Sequence, residues 1–309
     1  MMTFAQLRTF EAVARLNNFS RAAEELHLTQ PAVSAQVVAL ETALKLKLFD
    51  RVGKTFTITE QGRVVLQCAV DLHSRVKQMQ RELEDLNQHN RGSLRIGASQ
   101  VVGVYLLPDI LLHFRELYPL VELAVKVQPY RQIIEMLLRG ELDIAVIGEG
   151  TAVADERIAV KPIMEDELVV IAASSHPATE DGMVKAAELS HMPFVLPSSE
   201  SASGESVLDQ VHAAGIELHS VLEFGNVGAV KKAVEAGLGV SIVSRYAVAR
   251  ELEEGRLHSI AVKGLRFTRH VSLCWHHERP FSKVTTAFVH FIQRHAAAVQ
   301  EPHPVDAGA

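Results

Sequence analysis

One run of side chains limits what this chain can fold into. Val65, Ala69, Leu72, Val76, Met79, Leu83 and Leu86 follow one another at steps that alternate between four and three residues. Repeated over about three heptads, this alternation makes a narrow seam suited to a second helix, narrower than the stripe a globular helix buries. With Thr59 as its cap, the pattern predicts a helix over 60–90. The favoured role is a dimer coiled coil through Val65, Leu72, Val76, Met79, Leu83 and Leu86; the competing reading is a long core helix of one domain. The helix divides the 309 residues into two parts of unlike charge, with 12 basic and 10 acidic side chains in residues 1–91 and 19 against 27 in the rest. A difference in sign suggests different partners for the two parts.

Before the seam, three short helices and a hairpin are predicted. Phe4, Leu7, Phe10, Val13 and Ala14 recur at helical spacing over 4–16. Asn17-Asn18 ends that helix, and Ser20 is expected to cap a second over 21–27, with Ala22, Ala23 and Leu26 inward. Thr29 caps a third that runs to about residue 44, with Pro31 in its first turn, where a missing N–H costs nothing. Residues 48–51 and 55–58 alternate like strands around Gly53-Lys54 and read as a small wing. Two short helices joined by a tight turn, the second opening with polar residues, form the helix-turn-helix arrangement. Its third helix opens Thr29-Gln30-Pro31-Ala32-Val33-Ser34-Ala35-Gln36. A glutamine such as Gln30 or Gln36 can grip adenine with two hydrogen bonds in the major groove, Ser34 can bond several bases, and Ala32 allows close approach and can touch a thymine methyl. Ser20, Arg21, Arg51 and Lys54 flank these residues as phosphate or minor-groove contacts.

After the seam the pattern changes. Strands at 94–98, 121–127 and 142–147 alternate with helices at 106–117 and 133–138. A second block repeats the style, with strands at 168–172, 194–196, 222–224 and 240–243 and helices at 207–214 and 227–236. A strand at 269–275 and a helix at 281–295 close the chain, and the tail over 296–309 reads as disordered. Alternation of this kind implies a parallel sheet.

Several function classes are excluded. With 48% hydrophobic residues, dominant disorder is ruled out. No apolar run of about 18 residues exists to span a membrane. Gln6, Arg8, Glu11 and Arg15 interrupt what would be the core of a signal peptide, so a cytoplasmic protein is expected. Cys68 and Cys274 are too far apart in sequence for a disulfide framework or a zinc ribbon, and both read as buried small residues. No nucleophile elbow, phosphate loop or zinc-protease motif is present. The expectation is therefore no enzyme, no metal and no cofactor. Residues 93–295 alone would also suit a solute-binding protein; the first 90 residues and the lack of a signal peptide argue against it.

At this point the residues resemble a known family. The run Phe19-Ser20-Arg21-Ala22-Ala23-Glu24-Glu25-Leu26-His27-Leu28-Thr29-Gln30-Pro31-Ala32-Val33-Ser34, then Leu40-Glu41, Leu48-Phe49-Asp50-Arg51 and Thr57-Ile58-Thr59-Glu60-Gln61-Gly62, resembles the LysR-type transcriptional regulators. So do Leu107-Pro108 with Phe114 and Pro119, Gly140-Glu141-Leu142-Asp143-Ile144-Ala145, and Val234-Glu235-Ala236-Gly237-Leu238-Gly239-Val240. The resemblance implies a winged helix-turn-helix over 1–59, a linker helix over 60–90 and a periplasmic-binding-protein-like α/β effector domain over 91–295. In that domain, subdomain I would take 91–162 and 267–295 and subdomain II 163–266, with charged crossovers at 161–166 and 263–268. It further implies a dimer of dimers, double-stranded promoter DNA and a small-molecule effector as partners, and RNA polymerase as a further one. The effector would lie between the subdomains, where the sequence has Ser99-Gln100, Tyr130-Arg131, Gly148-Glu149, Ser201, Ser203 and Asn226. Hydroxyls and N–H groups at helix N-termini favour an anion.

Overall fold

A computed structural model describes residues 1–52, 55–87, 92–149, 155–198, 202–218 and 221–300. Gly53, Lys54, Ser201 and the tail over 301–309 lie outside the described residues, as do the side chains of Arg51, Leu86 and Ser203. The chain forms two compact units, one of Met1–Glu84 with Leu138–Gly140, the other of Asp85–Leu137 with Glu141–Ala309.

In the first unit, α1 (Phe4–Leu16), α2 (Phe19–Leu26) and α3 (Gln30–Leu44) precede a hairpin of β1 (Phe49–Val52) and β2 (Thr55–Ile58), and α4 (Glu60–Asn87) follows. Local chemistry sets each boundary. Thr3 and Gln6 bond reciprocally to each other's backbone N–H and start α1. Asn17, with φ of 45°, ends it in the left-handed region that a short amide tolerates. Asn18 then caps α2, its side chain accepting from the N–H groups of Ser20 and Arg21 at 2.9 and 3.0 Å. This corrects the expectation for Ser20, which lies inside α2. Both residues are good caps, and the one nearer the end of α1 takes the role. Thr29 and Thr59 cap α3 and α4 as the sequence suggested, accepting from Ala32 N–H at 3.4 Å and Gly62 N–H at 2.9 Å. Phe10, Val13, Ala22, Val33 and Leu40 form the interior. Phe19 of α2 meets Phe49 and Phe56 of the hairpin edge-on, with centroids 6.0 and 4.9 Å away, which fastens the wing to the helices.

In the second unit, β3 (Ser93–Ala98) leads into a π-helical stretch (Val102–Leu106) that continues as α5 (Leu107–Leu117). There follow β4 (Glu122–Val127), α6 (Tyr130–Leu138), β5 (Ile144–Glu149), β6 (Ile158–Ala173), α7 (Ala178–Asp181), β7 (Met183–Val184), α8 (Ala186–Leu189), β8 (Phe194–Pro197), α9 (Ala202–Ala213), β9 (Val221–Phe224), α10 (Val227–Glu235), β10 (Ser241–Ser244), α11 (Arg245–Glu253), β11 (Leu257–Val262), β12 (Phe267–His276) and α12 (Lys283–Gln300). The main sheet has the order β4-β3-β5-β12-β6-β11-β7, with β10 also on β6; β8 and β9 pair separately.

The structure corrects two expectations. The sheet is mixed rather than parallel: β3 runs parallel to β4 and β5, but β6 is antiparallel to β10, β11 and β12. The segment 161–166, read as a charged crossover flanked by strands, lies within the 16-residue β6 itself. Met164, Asp166 and Leu168 turn inward while Glu165 faces solvent, so charge masked a period of two. Pro162, which has no N–H for the ladder, sits beside the register shift between Val271 and Ser272. Finally, α12 continues through residues 296–300, which the sequence pattern assigns to the tail, and Ala296 is buried.

Core residues of this unit gather in three groups: one, with Val101, Ile171, Val195, Val230 and Val248, packs around α10 and α11, and the other two lie along β6 and β12. Leu94, Ile96, Leu107, Ile110, Phe114, Ile144, Leu273, Phe288 and Ile292 gather around β3 and β5. Leu168, Val170, Phe194, Leu196, Val211, Ile242 and Ile260 gather around the far half of β6. Strands β6 and β12 run from one of these two groups to the other.

Candidate DNA-reading face and effector cleft

The third helix carries the first site. Its inner positions Val33, Val37 and Leu40 are buried, so helical geometry turns the opening residues outward. Thr29, Gln30, Pro31 and Ala35 are exposed and Ala32 and Ser34 half-buried; Arg21 is exposed on α2. Gln36 is half-buried, and its Oε1 accepts from the hydroxyl of Thr9, buried on α1, at 2.6 Å. That bond ties α3 to α1.

Glu41 is a supporting residue that the motif contains and side-chain type alone did not mark. One carboxylate oxygen accepts from the N–H groups of Leu48 and Phe49 at 2.8 and 3.3 Å, the other from the Lys47 ammonium at 3.0 Å. Burial works to raise its pKa, and these donors outweigh burial, holding the carboxyl below its ordinary value. Glu41 thereby fixes the entry to the wing against the end of α3.

The seam residues of α4 do not form one surface. Val65 and Ala69 pack with Leu7, Phe10, Leu40 and Leu48 in the interior of this unit. Leu72, Met79 and Leu83 are 47%, 53% and 52% exposed, and Val76 is half-buried. The exposed part of the seam read from the heptads therefore begins at Leu72. Cys68, expected to be buried, is exposed on the same helix.

The second site lies where β3 and β5 end. The Ser99 Oγ, on a residue 7% exposed, accepts from Gly148 N–H at 3.1 Å. A hydroxyl that accepts one bond keeps its own proton to donate. Ser99 stands just before the helix whose first turn begins at the exposed Gln100. Gln128 comes in beside it, its N–H donating to the Ala98 carbonyl at 3.1 Å. Tyr130 and Arg131 open α6, with Arg131 exposed and its guanidinium 5.6 Å from the centre of the Tyr130 ring. Asn226 caps α10 through Ala229 N–H at 2.9 Å, and a Cβ on Gly228 would lie 4.0 Å from the Tyr105 hydroxyl. The N-terminus of α10 thus faces the π-helical stretch that follows Ser99. Ser203 lies in the first turn of α9.

Two buried ion pairs stand beside these residues. The Arg269 Nε donates to Asp166 at 2.8 Å, and the other oxygen of Asp166 accepts from Ser244 at 2.7 Å. Both ionic side chains are 2% exposed. A Cβ on Gly148 would lie 3.3 Å from the Arg269 Cζ and 3.3 Å from Val102. Burial and the Asp166 carboxylate push the nearby Tyr246 phenol up. Lys231 of α10 donates to the Ala247 carbonyl and to Glu251, each at 2.7 Å, and its ammonium lies 4.7 Å from the centre of the Tyr105 ring. The sequence pattern did not single out any of these residues. The available signal was a charge at an inward position of a strand: Asp166 between Met164 and Leu168, Arg269 between Phe267 and Val271.

A helix with an exposed polar opening, a wing, a long linker helix and an α/β unit are the parts expected of a DNA-binding transcriptional regulator. The chain belongs to the LysR family: residues 4–63 match the bacterial regulatory helix-turn-helix protein of that family and residues 87–297 its substrate binding domain. It is 35% identical over 288 residues to a probable RuBisCO transcriptional regulator of Cyanophora paradoxa, covering 92% of this chain and 89% of the relative. Among solved structures it resembles a full-length OxyR variant from Pseudomonas aeruginosa, with a TM-score of 0.70 and 22% identity over 100% of this chain and 99% of that one. It also resembles the regulatory domain of CcmR from Synechocystis PCC6803 in complex with 2-PG, with a TM-score of 0.60 and 22% identity over 68% of this chain and 98% of that one. Among the described residues no helix is long and apolar enough to cross a membrane, and no cluster of three or more His, Cys, Asp or Glu could hold a metal.

Proposed function

We propose that this regulator reads promoter DNA with the opening turn of α3 and takes a small anionic metabolite at the corner of Ser99 and Gly148. One observation carries the effector reading: a buried serine hydroxyl that is anchored by Gly148 N–H, keeps its own proton to donate and stands at the entry to a helix. First-turn N–H groups and the helix dipole there favour negative charge. Gln100, Gln128 and the N-terminus of α10 complete the polar lining, Tyr130 and Arg131 are its outer candidates, and Ser201 and Ser203 are candidates from the sequence alone. The CcmR regulatory domain in complex with 2-PG supports an anionic effector. The relative from Cyanophora paradoxa makes RuBisCO promoters the first DNA to test.

The protein works as a cytoplasmic dimer of dimers in this reading. Leu72, Met79 and Leu83 serve one interface. The exposed apolar residues Leu112, Leu117, Leu120 and Val125, on and between α5 and β4, support a second.

The test is a thermal-shift screen of the full chain against 2-PG, other phosphorylated and carboxylated metabolites, and neutral sugars. An anion should raise the Tm of the wild type and leave Ser99→Ala unmoved. Stabilisation by neutral or aromatic compounds alone would refute the anion reading.

A further inference from the structure

Anion binding by this domain meets an electrostatic objection. The chain beyond residue 91 carries 19 basic and 27 acidic side chains, so its overall field opposes a dianion. Helix N–H groups carry only partial charges, and a full positive charge near the cleft would overcome that field locally. Among the described residues two Lys or Arg side chains are buried, Lys231 and Arg269. Lys231 is committed to Glu251 and the Ala247 carbonyl behind Tyr105. Arg269 lies elsewhere. It flanks Gly148, the residue whose N–H holds the Ser99 hydroxyl. A side chain at Gly148 would press on the guanidinium; glycine leaves the backbone and the cation next to each other.

The partner of Arg269 is as informative as its place. Asp166 and Arg269 are directly opposed in the register of β6 and β12, the strands that run between two of the core groups. Ser244, at the end of β10, secures the second oxygen of Asp166. A buried ion pair contributes little net stability over well-packed apolar residues of similar volume. Its value here lies in holding a planar, permanently charged donor fork at a fixed place. Asp166 also masks part of that charge.

We propose that Arg269 is the specificity-determining residue for the charge of the effector, and that Asp166 is a positioning residue that competes with the effector for the same guanidinium. This rests on the anion reading of the Ser99 corner given above. An oxyanion arriving beside Gly148 shares the fork with Asp166 and weakens the tie between β6 and β12. Effector charge is thereby converted into a changed restraint on the two strands that join those core groups. A neutral ligand of the same shape leaves the pair intact.

The experiment is calorimetric titration of the full-length protein with 2-PG and with inorganic phosphate, with thermal unfolding as the check on folding. Arg269→Met combined with Asp166→Leu removes both members of the pair together. It should unfold as the wild type does and bind 2-PG at least tenfold more weakly. Arg269→Lys keeps the charge, loses the fork, and should fall between the two. Asp166→Asn keeps a hydrogen-bond acceptor for the guanidinium and removes the competing charge, so it should bind 2-PG several-fold more tightly, a change of opposite sign that a merely structural pair would not give. Wild-type affinity in the double variant would overturn the role of Arg269 while leaving the Ser99 site standing. Unchanged or weaker binding by Asp166→Asn would overturn the competition. Failure of the wild type to bind either probe would overturn this proposal together with the anion reading beneath it.

Discussion

The two sites of this chain are built in opposite ways. The DNA-reading face is a local object: about eight consecutive residues on one helix, turned outward because Val33, Val37 and Leu40 are turned in. Its Thr29 and Gln30 side chains meet solvent. The effector corner is assembled from β3, β5, β6, β10 and β12, and its charged members are buried and paired. A surface that scans a polyanion benefits from solvated, adjustable side chains. A cleft that distinguishes one small molecule benefits from a few groups locked in place before the ligand arrives.

That contrast explains what could be read from the sequence. The helices of the first unit, their Thr29 and Thr59 caps and the outward phase of Gln30 follow from spacing over a few residues, and the structure has them there. Even the error there is local, since Asn18 and Ser20 are both competent caps two residues apart. In the second unit, Ser99 and Gly148 could be named from their places after strands, but their hydrogen bond spans 49 residues and has no local signature. Arg269 and Asp166 are 103 residues apart and pair only because β12 lies antiparallel to β6. The charged stretch 161–166 is legible as a crossover but not as a strand, because its charged residues and one proline hide the period of two. The heptad seam shows a different limit. A period does not say which partner a face meets, and Val65 and Ala69 meet their own domain.

Four substitutions probe this contrast, in order of decreasing effect. Met79→Asp puts a charge into the exposed apolar row of Leu72, Met79 and Leu83, where an unpaired carboxylate costs several kcal/mol of association, on the order of 3. The folded unit should survive, because Met79 is exposed within the chain. Sedimentation of the full-length protein should show weaker self-association; an unchanged mass would mean that the row is not an interface.

Glu41→Ala leaves the Leu48 and Phe49 N–H groups without their acceptor and should destabilise the DNA-binding unit by about 1–3 kcal/mol. The same carboxylate predicts a pH dependence. Its folded pKa lies below the ordinary value of 4.5, so its contribution is complete above that value and is lost as pH falls through the lower folded one. Denaturant titrations from about pH 7 down to about pH 3 should show this acid-side loss in the wild type and a smaller one in Glu41→Ala.

Gln30→Ala should cost about 1–3 kcal/mol at a cognate site and relax specificity, as loss of a paired base contact does. Arg21→Ala should cost less, weaken all sequences alike and flatten the salt slope by about one phosphate's worth. Gel-shift titrations at several salt concentrations separate the two. A sequence-independent loss for Gln30→Ala would move it from base reading to phosphate contact.

The proposed function requires a coupling between the two sites, in which occupancy of the Ser99 corner alters how α3 engages DNA. The decisive measurement is footprinting of the full-length protein on a RuBisCO promoter, with and without 2-PG, with the wild type set beside Ser99→Ala. 2-PG is expected to change the length or the affinity of the wild-type footprint, and Ser99→Ala is expected to bind the same DNA with no response to 2-PG. A wild-type footprint that 2-PG leaves unchanged, or a Ser99→Ala footprint that responds fully, would contradict the coupling.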